Sequence, residues 1–305
     1  MKSRIGPNGV HFFDRNTGLN VLLDEFYPPQ TAWSKSPRQV SVALTNLCDL
    51  HCTHCFAPKH KALLHTDQVL SWLKELDTEG CLGIGFGGGE PTLHPDFVEI
   101  CKRAAEETQL AVTFTTHGHR LTQQLIKNLK GSIHFARISV DGTGRTYEEL
   151  RGKPFTNLLK GIESIATLSP FGMNVVINEH TIFELDAVAE LAQQFGVSEL
   201  LLLPQQATNA VASMDELVGR ELQNWVSSYR GEVRLAVSEV GASGLPICDP
   251  LPNETGLQAY AHIDASGILR TSSYSTTGMD IEETGVMSAL KRLRNTLVIK
   301  QGTQS

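Results

Sequence analysis

Three cysteines lie close together in the segment CDLHCTHCF, residues 48–56. Cys48, Cys52 and Cys55 make up half of the six cysteines in the chain. Thiolates that share one loop are suited to bind a metal ion or an iron–sulfur cluster. A structural zinc ion takes four ligands, and no fourth cysteine follows nearby. The spacing Cys-x3-Cys-x2-Cys therefore raises the question of what holds the fourth position.

Simpler interpretations of the cysteines remain open at this stage. His51 or His54 could complete a zinc site in a non-catalytic binding module. The loop could instead hold the cluster of a plain electron carrier. A disulfide framework is the least favoured, because three cysteines within eight residues pair awkwardly and cytosolic chains seldom form disulfides. Cys81 and Cys101 fall in a predicted strand and a predicted helix, so we expect core thiols there.

The composition narrows the class of protein. The chain has 305 residues and 41% of them are hydrophobic, which is enough for one large α/β domain with or without an appendage. The formal net charge is −7, and no basic run suggests a nucleic acid or an anionic membrane as partner. No apolar window of about 18 residues predicts a membrane span, and the N-terminus lacks the apolar run of a signal peptide. We therefore expect a cytoplasmic protein.

Short apolar strands alternate with amphipathic helices along most of the chain. The predicted strands are 38–45, 81–86, 110–116, 134–140, 172–178 and 198–204, and the predicted helices are 66–79, 94–107, 121–130, 155–168, 184–195 and 213–230. Six strands that alternate with helices predict an α/β fold with a parallel sheet and right-handed crossovers.

Residues that could bind a ligand or take part in catalysis follow the ends of these predicted strands. They are Cys48, the glycines at 87–89, His117, Asp141 and Asn178. The residues are far apart in sequence, but the carboxyl ends of parallel strands meet at one edge of a sheet. We therefore expect them to share one site.

The composition and the pattern of predicted elements divide the chain into three segments. Residues 1–37 form an N-terminal segment with a possible hairpin at 16–18, residues 38–240 form the main domain, and residues 241–305 form a small extension. Within the extension, 259–275 predicts two short strands around a turn. These strands either border the entrance for a substrate or cover the open edge of the sheet.

The cysteine loop resembles the cluster loop of the radical S-adenosylmethionine (SAM) superfamily in its spacing and in Phe56, the aromatic residue after the third cysteine. Five further segments resemble motifs or strands of that superfamily in the same order: FGGGEPTLHPDF at 86–97, RISVDG at 137–142, LRGKPFTNLLKGI at 150–162, VVIN at 175–178 and LLLLP at 200–204. The resemblance covers 38–204 and a weaker tail. It implies a partial (β/α)6 TIM-like barrel with a small C-terminal β-containing extension.

The resemblance also implies roles for individual residues. Cys48, Cys52 and Cys55 would bind one [4Fe-4S] cluster, and SAM would bind the iron that has no cysteine ligand. Other residues would contact SAM: Phe56 beside the adenine, Gly88, Gly89, Glu90 and Pro91 near the amine, Ser139 near the carboxylate or ribose, Arg151 near the carboxylate, and Asp141 and Asn178 along the pocket. The two glycines would let the backbone approach this ligand closely. The alternatives are a surface helix cap for Arg151 and a turn residue at a strand end for Asn178.

The sequence departs from the family pattern in two places. His117 stands where the family often has asparagine, so it is either a candidate catalytic residue, with Asp141 and Cys248, or a solvated loop histidine. Ser272 and Ser273 stand where peptide-modifying members carry a cysteine. The extension therefore resembles a degenerate SPASM/twitch-like domain without a cluster of its own.

The expected activity is that of a radical SAM enzyme. The reduced cluster would cleave SAM to a 5′-deoxyadenosyl radical, which would abstract hydrogen from a peptide-type substrate. The alternative is the same chemistry on a small-molecule cofactor or a natural-product intermediate. The partners would be that substrate and an electron donor such as flavodoxin or ferredoxin, with no nucleic acid and no membrane.

Overall fold

The structure, a computed structural model, describes residues 1–208, 211–238 and 241–302. A small antiparallel sheet comes first in the chain and consists of β1 (Lys2–Gly6), β2 (Gly9–Phe13) and β3 (Asn20–Leu23). The buried guanidinium of Arg4 in β1 pairs with the buried carboxylate of Glu254 at 2.6 Å. This ion pair connects the first strand to the loop that precedes the C-terminal strands.

The main sheet has ten strands in the order β10-β9-β8-β7-β6-β5-β4-β11-β12-β13. They are β4 (Gln39–Thr45), β5 (Gly83–Gly88), β6 (Ala111–Thr116), β7 (Phe135–Ser139), β8 (Phe171–Ile177), β9 (Glu199–Pro204), β10 (Arg234–Val237), β11 (Tyr260–Ile263), β12 (Ile268–Arg270) and β13 (Gly278–Asp280). Neighbouring strands from β4 to β10 pair in parallel, in chain order.

Helices follow the strands and cover one face of the sheet. They are α1 (Thr66–Thr78), α2 (Phe97–Glu107), α3 (Gln123–Leu129), α4 (Gly144–Arg151), α5 (Phe155–Ala166), α6 (Leu185–Gln194), α7 (Glu216–Ser228) and α8 (Val286–Gly302). In α1, Val69, Leu73 and Leu76 recur at helical spacing and are buried. Burial of such apolar stripes against the sheet builds the core.

The two faces of the strands differ in chemistry because side chains alternate along a strand. In β7, Ala136 and Ile138 are fully buried, whereas Arg137 and Ser139 lie on the opposite face and are half-buried. Arg137 contacts Asn174 of β8 and forms an ion pair with Glu199 of β9 on that second face. This second face of the sheet therefore carries interacting polar side chains across β7, β8 and β9.

The C-terminal strands extend the same sheet. β11 pairs in parallel with β4, and β12 and β13 continue in antiparallel pairing. Helix α8 packs behind them, and its Val286, Leu290 and Leu293 are buried. β11 thus covers the edge of β4, as the covering alternative expects; a role at the substrate entrance stays a prediction.

The fold prediction is confirmed: the chain is an α/β protein with a parallel sheet of the partial-barrel type and a small antiparallel C-terminal extension. The six predicted barrel strands correspond to β4–β9. The division into three segments stays a prediction, and residues 239 and 240 at its second boundary lie outside the described residues, as do 303–305 at its end.

Several elements and boundaries differ from the predictions. β10, β13, α4 and α8 were not predicted as regular elements. Helix α2 begins at Phe97, three residues later than predicted, and the N-cap of α1 is His65, whose side chain makes no capping hydrogen bond. The hydroxyl of Thr66 donates to the Asp96 carboxylate at 2.7 Å, a tertiary contact that local sequence does not reveal.

All six cysteines are free thiols, so the disulfide interpretation finds no support. Cys81 and Cys101 are fully buried, which confirms them as core thiols, and burial raises the pKa of both. In the described parts of the chain, no helix is long and apolar enough to cross a membrane.

We expect Leu290→Ala to lower the free energy of unfolding by about 2–5 kcal/mol, because this α8 side chain is 1% exposed and its truncation leaves a cavity. Val298→Ala in the same helix is the control, since Val298 is 69% exposed and should change stability by less than about 0.5 kcal/mol. Urea denaturation followed by circular dichroism measures both. Equal effects of the two substitutions would contradict the packing of α8 against the sheet.

Candidate active site

The three cysteines of the loop lie at the carboxyl end of the sheet, between β4 and α1, and all are half-buried. Two cations approach their sulfurs: Arg151 Nη1 lies 3.5 Å from Cys52 Sγ, and Lys59 Nζ lies 3.1 Å from Cys55 Sγ. Burial raises the pKa of the Cys48 and Cys52 thiols, and Arg151 opposes this rise at Cys52.

The spacing of the sulfurs favours a group larger than one metal ion. In the described ranges, the one set of three cysteine, histidine or carboxylate ligand atoms within 4.8 Å of one another is Cys48, Asp49 and His117. The three cysteine sulfurs are therefore not all within that distance. Thiolates on one zinc ion, each about 2.3 Å from the metal, lie within about 4 Å of one another. A zinc site built on all three cysteines is thus disfavoured.

The glycines at the end of β5 permit a close contact with the start of the cysteine loop. A Cβ at Gly88 would lie 2.1 Å from the carbonyl oxygen of Thr45, and one at Gly89 would lie 2.3 Å from that of Leu47. Gly88 also has φ +125°, which side chains rarely adopt. The N–H groups of Gly89 and Glu90 donate to these two carbonyls at 2.7 Å. We expected Gly88 and Gly89 to allow close contact with SAM, but in the structure they lie against the chain's own backbone.

Glu90 is buried, with 1% of its surface exposed, and its carboxylate is engaged by the chain itself. Its Oε1 accepts from the hydroxyls of Thr92 and Thr116 at 2.7 and 2.8 Å, and its Oε2 accepts from the His117 N–H at 3.0 Å. Two of these donors belong to the end of β6 or follow it directly. Glu90 thus connects the end of β5 to the loop after β6, and backbone carbonyls remain the better acceptors for a ligand amine.

His117 is 5% exposed, so the interpretation as a solvated loop histidine was wrong. Its Nδ1 accepts from the His119 N–H at 3.1 Å, which leaves the ring proton on Nε2. That Nε2 lies 2.9 Å from Asp49 Oδ1 and 3.4 Å from Glu90 Oε2. His117 therefore joins the cysteine loop to the loop after β6. Nε2 of the neighbouring His119 forms a hydrogen bond with the buried Tyr147 hydroxyl at 2.7 Å. Burial lowers the pKa of His119 to about 4.

Asp141 lies just after β7, is fully buried and contacts three elements. Its Oδ1 accepts from the Val176 N–H of β8 at 2.9 Å, and its Oδ2 lies 2.9 Å from His54 Nε2 in the cysteine loop. The guanidinium of Arg151, at the end of α4, forms an ion pair with the same oxygen. Burial opposes ionisation of Asp141, but Arg151 and His54 outweigh it and lower its pKa to about 2.

The remaining predicted SAM contacts lie near the same edge of the sheet and differ in burial and in how far their polar groups are already hydrogen-bonded. Ser139 is half-buried at the end of β7, and Pro91 is buried at the start of the 3-10 helix Pro91–Leu93. Asn178 is 3% exposed and shapes the turn after β8: its Oδ1 accepts from the His180 and Thr181 N–H groups at 3.0 and 3.1 Å. Its amide is thus committed to a structural turn.

The extension touches the cysteine loop from outside the barrel. The rings of Phe56 and Tyr274 lie 4.9 Å apart, and His60 Nε2 lies 3.3 Å from Ser266 Oγ. Phe56 is 45% exposed despite this contact. Cys248 is exposed in the segment between β10 and β11, and within the described residues no hydrogen bond or ion pair joins it to the cysteine loop.

Two residues that hold the site together, Asp49 and Thr116, were not among the sequence-predicted site residues, and His54 was considered only as a zinc ligand. Asp49 and His54 lie between the cysteines, where polar residues facing a barrel mouth are a detectable signal. Their partners Glu90, His117 and Asp141 are distant in sequence, and only the fold brings these pairs together.

The family follows from comparison with known proteins. The model of the radical SAM superfamily matches residues 42–192, and the chain belongs to this superfamily. Membership implies a [4Fe-4S] cluster and SAM as cofactors.

Two curated relatives match part of the chain. The chain is 29% identical over 174 residues to the AdoMet-dependent heme synthase of Methanosarcina barkeri, which covers 54% of this chain and 50% of that protein. It is 31% identical over 163 residues to mycofactocin maturase MftC of Mycobacterium tuberculosis, which covers 51% of this chain and 41% of that protein. The chain thus matches half or less of the length of these relatives.

Solved structures resemble nearly the whole chain in fold. Streptococcus suis SuiB bound to S-adenosylmethionine superposes with a TM-score of 0.74 and 12% identity over 94% of this chain and 86% of that chain. The protein anSMEcpe with bound AdoMet gives a TM-score of 0.65 and 17% identity over 83% and 80%. At these identities the likeness establishes the fold alone.

The residues present fit the two cofactors that the family implies. Three half-buried thiols share one loop, with the Arg151 and Lys59 cations beside Cys52 and Cys55 to offset negative charge. Within the described residues, Nε of Arg151 is buried without a hydrogen-bond partner. An acceptor such as a ligand carboxylate would satisfy this donor.

We expect Gly89→Ala to lower the free energy of unfolding by at least about 1–3 kcal/mol, because its methyl group would overlap the carbonyls of Asn46 and Leu47. Gly87→Ala is the matched control, since nothing lies within 4 Å of a Cβ there. Thermal and urea unfolding of the two variants compare them. A Gly89→Ala variant as stable as the control would contradict the close backbone contact.

Proposed function

We propose that this chain is a radical SAM enzyme that acts on a peptide-type substrate. The observation that carries the proposal is the convergence of the cysteine loop, the glycines after β5, and Asp141 and Arg151 after β7 at one edge of the sheet. When bound, the cluster and SAM supply a 5′-deoxyadenosyl radical that removes hydrogen from an unactivated C–H bond. The protein's own part is to hold, orient and shield these groups.

The cysteines are the proposed cluster ligands, and the residues around them are the proposed SAM contacts. Backbone carbonyls at Gly88 and Gly89 suit the SAM amine, because the Glu90 side chain already accepts from three groups of the chain. Ser139 is free to bind, since its hydroxyl makes no hydrogen bond among the described residues. Arg151 retains an unpartnered Nε for a carboxylate oxygen.

Two observations support a peptide-type substrate. The chain matches a mycofactocin maturase in sequence, and the SuiB fold that it shares has been determined with the precursor peptide SuiA bound. The match to a heme synthase supports the alternative, a small-molecule cofactor or intermediate. An electron donor such as flavodoxin or ferredoxin is part of the proposal in either case.

Anaerobic reconstitution is expected to yield about four irons and four sulfides per chain, as one cube requires. Replacing Cys48, Cys52 and Cys55 together by alanine should leave a colourless protein, because the ligands are gone. Cys248→Ala is the control and should keep its iron, since this thiol is exposed outside the loop. Iron and sulfide assays measure the result, and a count near eight would contradict a single cluster.

The reconstituted protein, given SAM and dithionite, should also release 5′-deoxyadenosine, measured by chromatography. Absence of this product from a fully loaded protein would count against the proposed activity. Peptides deuterated at carbon and small-molecule candidates deuterated at carbon then separate the two substrate classes. Deuterium that appears in 5′-deoxyadenosine from a peptide supports the proposal, whereas transfer only from a small molecule supports the alternative.

A further inference from the structure

Asp141, His54 and Arg151 form a buried ionic network between the barrel and the cysteine loop, called the Asp141 network below. The side chains of these residues are 1%, 7% and 12% exposed, respectively. Asp141 is fixed to β8 by the Val176 N–H and reaches into the loop through His54 Nε2 at 2.9 Å. His54 stands between Cys52 and Cys55, so the network holds the loop between two proposed cluster ligands.

The network also reaches a cysteine sulfur directly. Arg151 is paired with Asp141, and its Nη1 lies 3.5 Å from Cys52 Sγ. A cationic donor beside a cluster sulfur favours the reduced state, because it offsets the negative charge that an added electron brings. The Asp141 carboxylate neutralises part of the Arg151 charge and so limits this effect.

We propose that the Asp141 network positions the cysteine loop and sets the reduction potential of the bound cluster, with Arg151 raising the potential and Asp141 restraining that rise. The proposal rests on the proposed function, since it presumes a cluster on Cys48, Cys52 and Cys55. His54 and Asp141 are positioning residues, because they act through the cysteine loop on the group that it holds, and Arg151 does so in addition to its proposed contact with the SAM carboxylate.

Two substitutions should shift the potential in opposite directions. Arg151→Met removes the cation and the donor near Cys52, so the cluster should become harder to reduce and its potential more negative. Asp141→Asn removes the countercharge and leaves the Arg151 charge uncompensated, so the potential should become more positive. A role in folding alone predicts lower stability or iron content in both variants, but no pair of opposite shifts.

The measurement is a redox titration of the reconstituted protein, read by electron paramagnetic resonance of the reduced cluster. Arg145→Met is the matched control: it removes an arginine from the same helix α4, where Arg145 is 90% exposed and paired only with Glu149 in the described ranges. Its potential should equal that of the unchanged protein. Shifts of one sign in both network variants, or shifts no larger than the control's, would overturn the proposal.

Asp141→Asn leaves a buried arginine without its partner and is expected to be destabilised. If that variant does not fold, Arg151→Met decides alone, and a potential that is not more negative than the control's overturns the proposal. If the unchanged protein itself binds no cluster, the proposed function fails before this proposal is reached. The two failures are thereby distinguished.

The positioning role has a separate measurement at His54. His54→Gln keeps an N–H donor that can reach Asp141, whereas His54→Leu has similar bulk without any donor. We expect His54→Leu to release iron to a chelator several-fold faster than the unchanged protein and His54→Gln to restore most of the retention. Equal release from the two variants would contradict the contact between His54 and Asp141 as an anchor of the loop.

Discussion

The candidate site depends on one constraint, the common direction of the strands from β4 to β9. Because these strands are parallel and adjacent in chain order, the segments that follow them all leave the sheet at the same edge. The cysteine loop follows β4, Glu90 follows β5, His117 follows β6 and Asp141 follows β7. Every contact between the cysteine loop and the barrel follows from this arrangement.

Two buried carboxylates turn that proximity into a defined geometry. Glu90 binds the backbone of His117, whose ring reaches Asp49, and Asp141 meets the ring of His54. Each carboxylate thus connects the barrel to the cysteine loop through a histidine, one at Asp49 and the other at His54. Burying a carboxylate is costly unless donors or cations surround it. Glu90 accepts hydrogen bonds from Thr92, Thr116 and His117, and Asp141 accepts one from the Val176 N–H and forms an ion pair with Arg151. The position of the cysteine loop is therefore fixed by Glu90 and Asp141, two carboxylates that follow different strands.

Much of this architecture could be predicted from the sequence. The six barrel strands and their helices follow from hydrophobic periodicity, which packing against a sheet reinforces, and the parallel fold placed the cysteines, His117 and Asp141 together. The strand β10 was missed because four residues carry too little alternation. The burial of Arg151 was missed because its partner Asp141 belongs to another element, and ion pairs across elements leave no local pattern.

The glycines of the GGGEP segment illustrate a different limit. A glycine in the sequence indicates that the backbone comes close to another group, but it does not indicate which group that is. At Gly88 and Gly89 the nearest groups are the carbonyls of Thr45 and Leu47, so the residues fix how the cysteine loop starts. A ligand contact at backbone carbonyls here is compatible with that role, since Gly89 and Glu90 use their N–H groups, not their carbonyls, to bind Thr45 and Leu47.

The extension is connected to the site by contacts that do not involve its one cysteine, Cys248. β11 lies beside β4, the strand that leads into the cysteine loop, and its Tyr260 hydroxyl and His262 Nδ1 lie 2.5 and 2.7 Å from the Ser41 hydroxyl of β4. The ring of Tyr274 then packs against that of Phe56, in a tilted arrangement, at the other end of the loop. The extension thus contacts the strand before the cysteines and the residue after them. Order in the extension and order in the cysteine loop are therefore coupled through shared contacts.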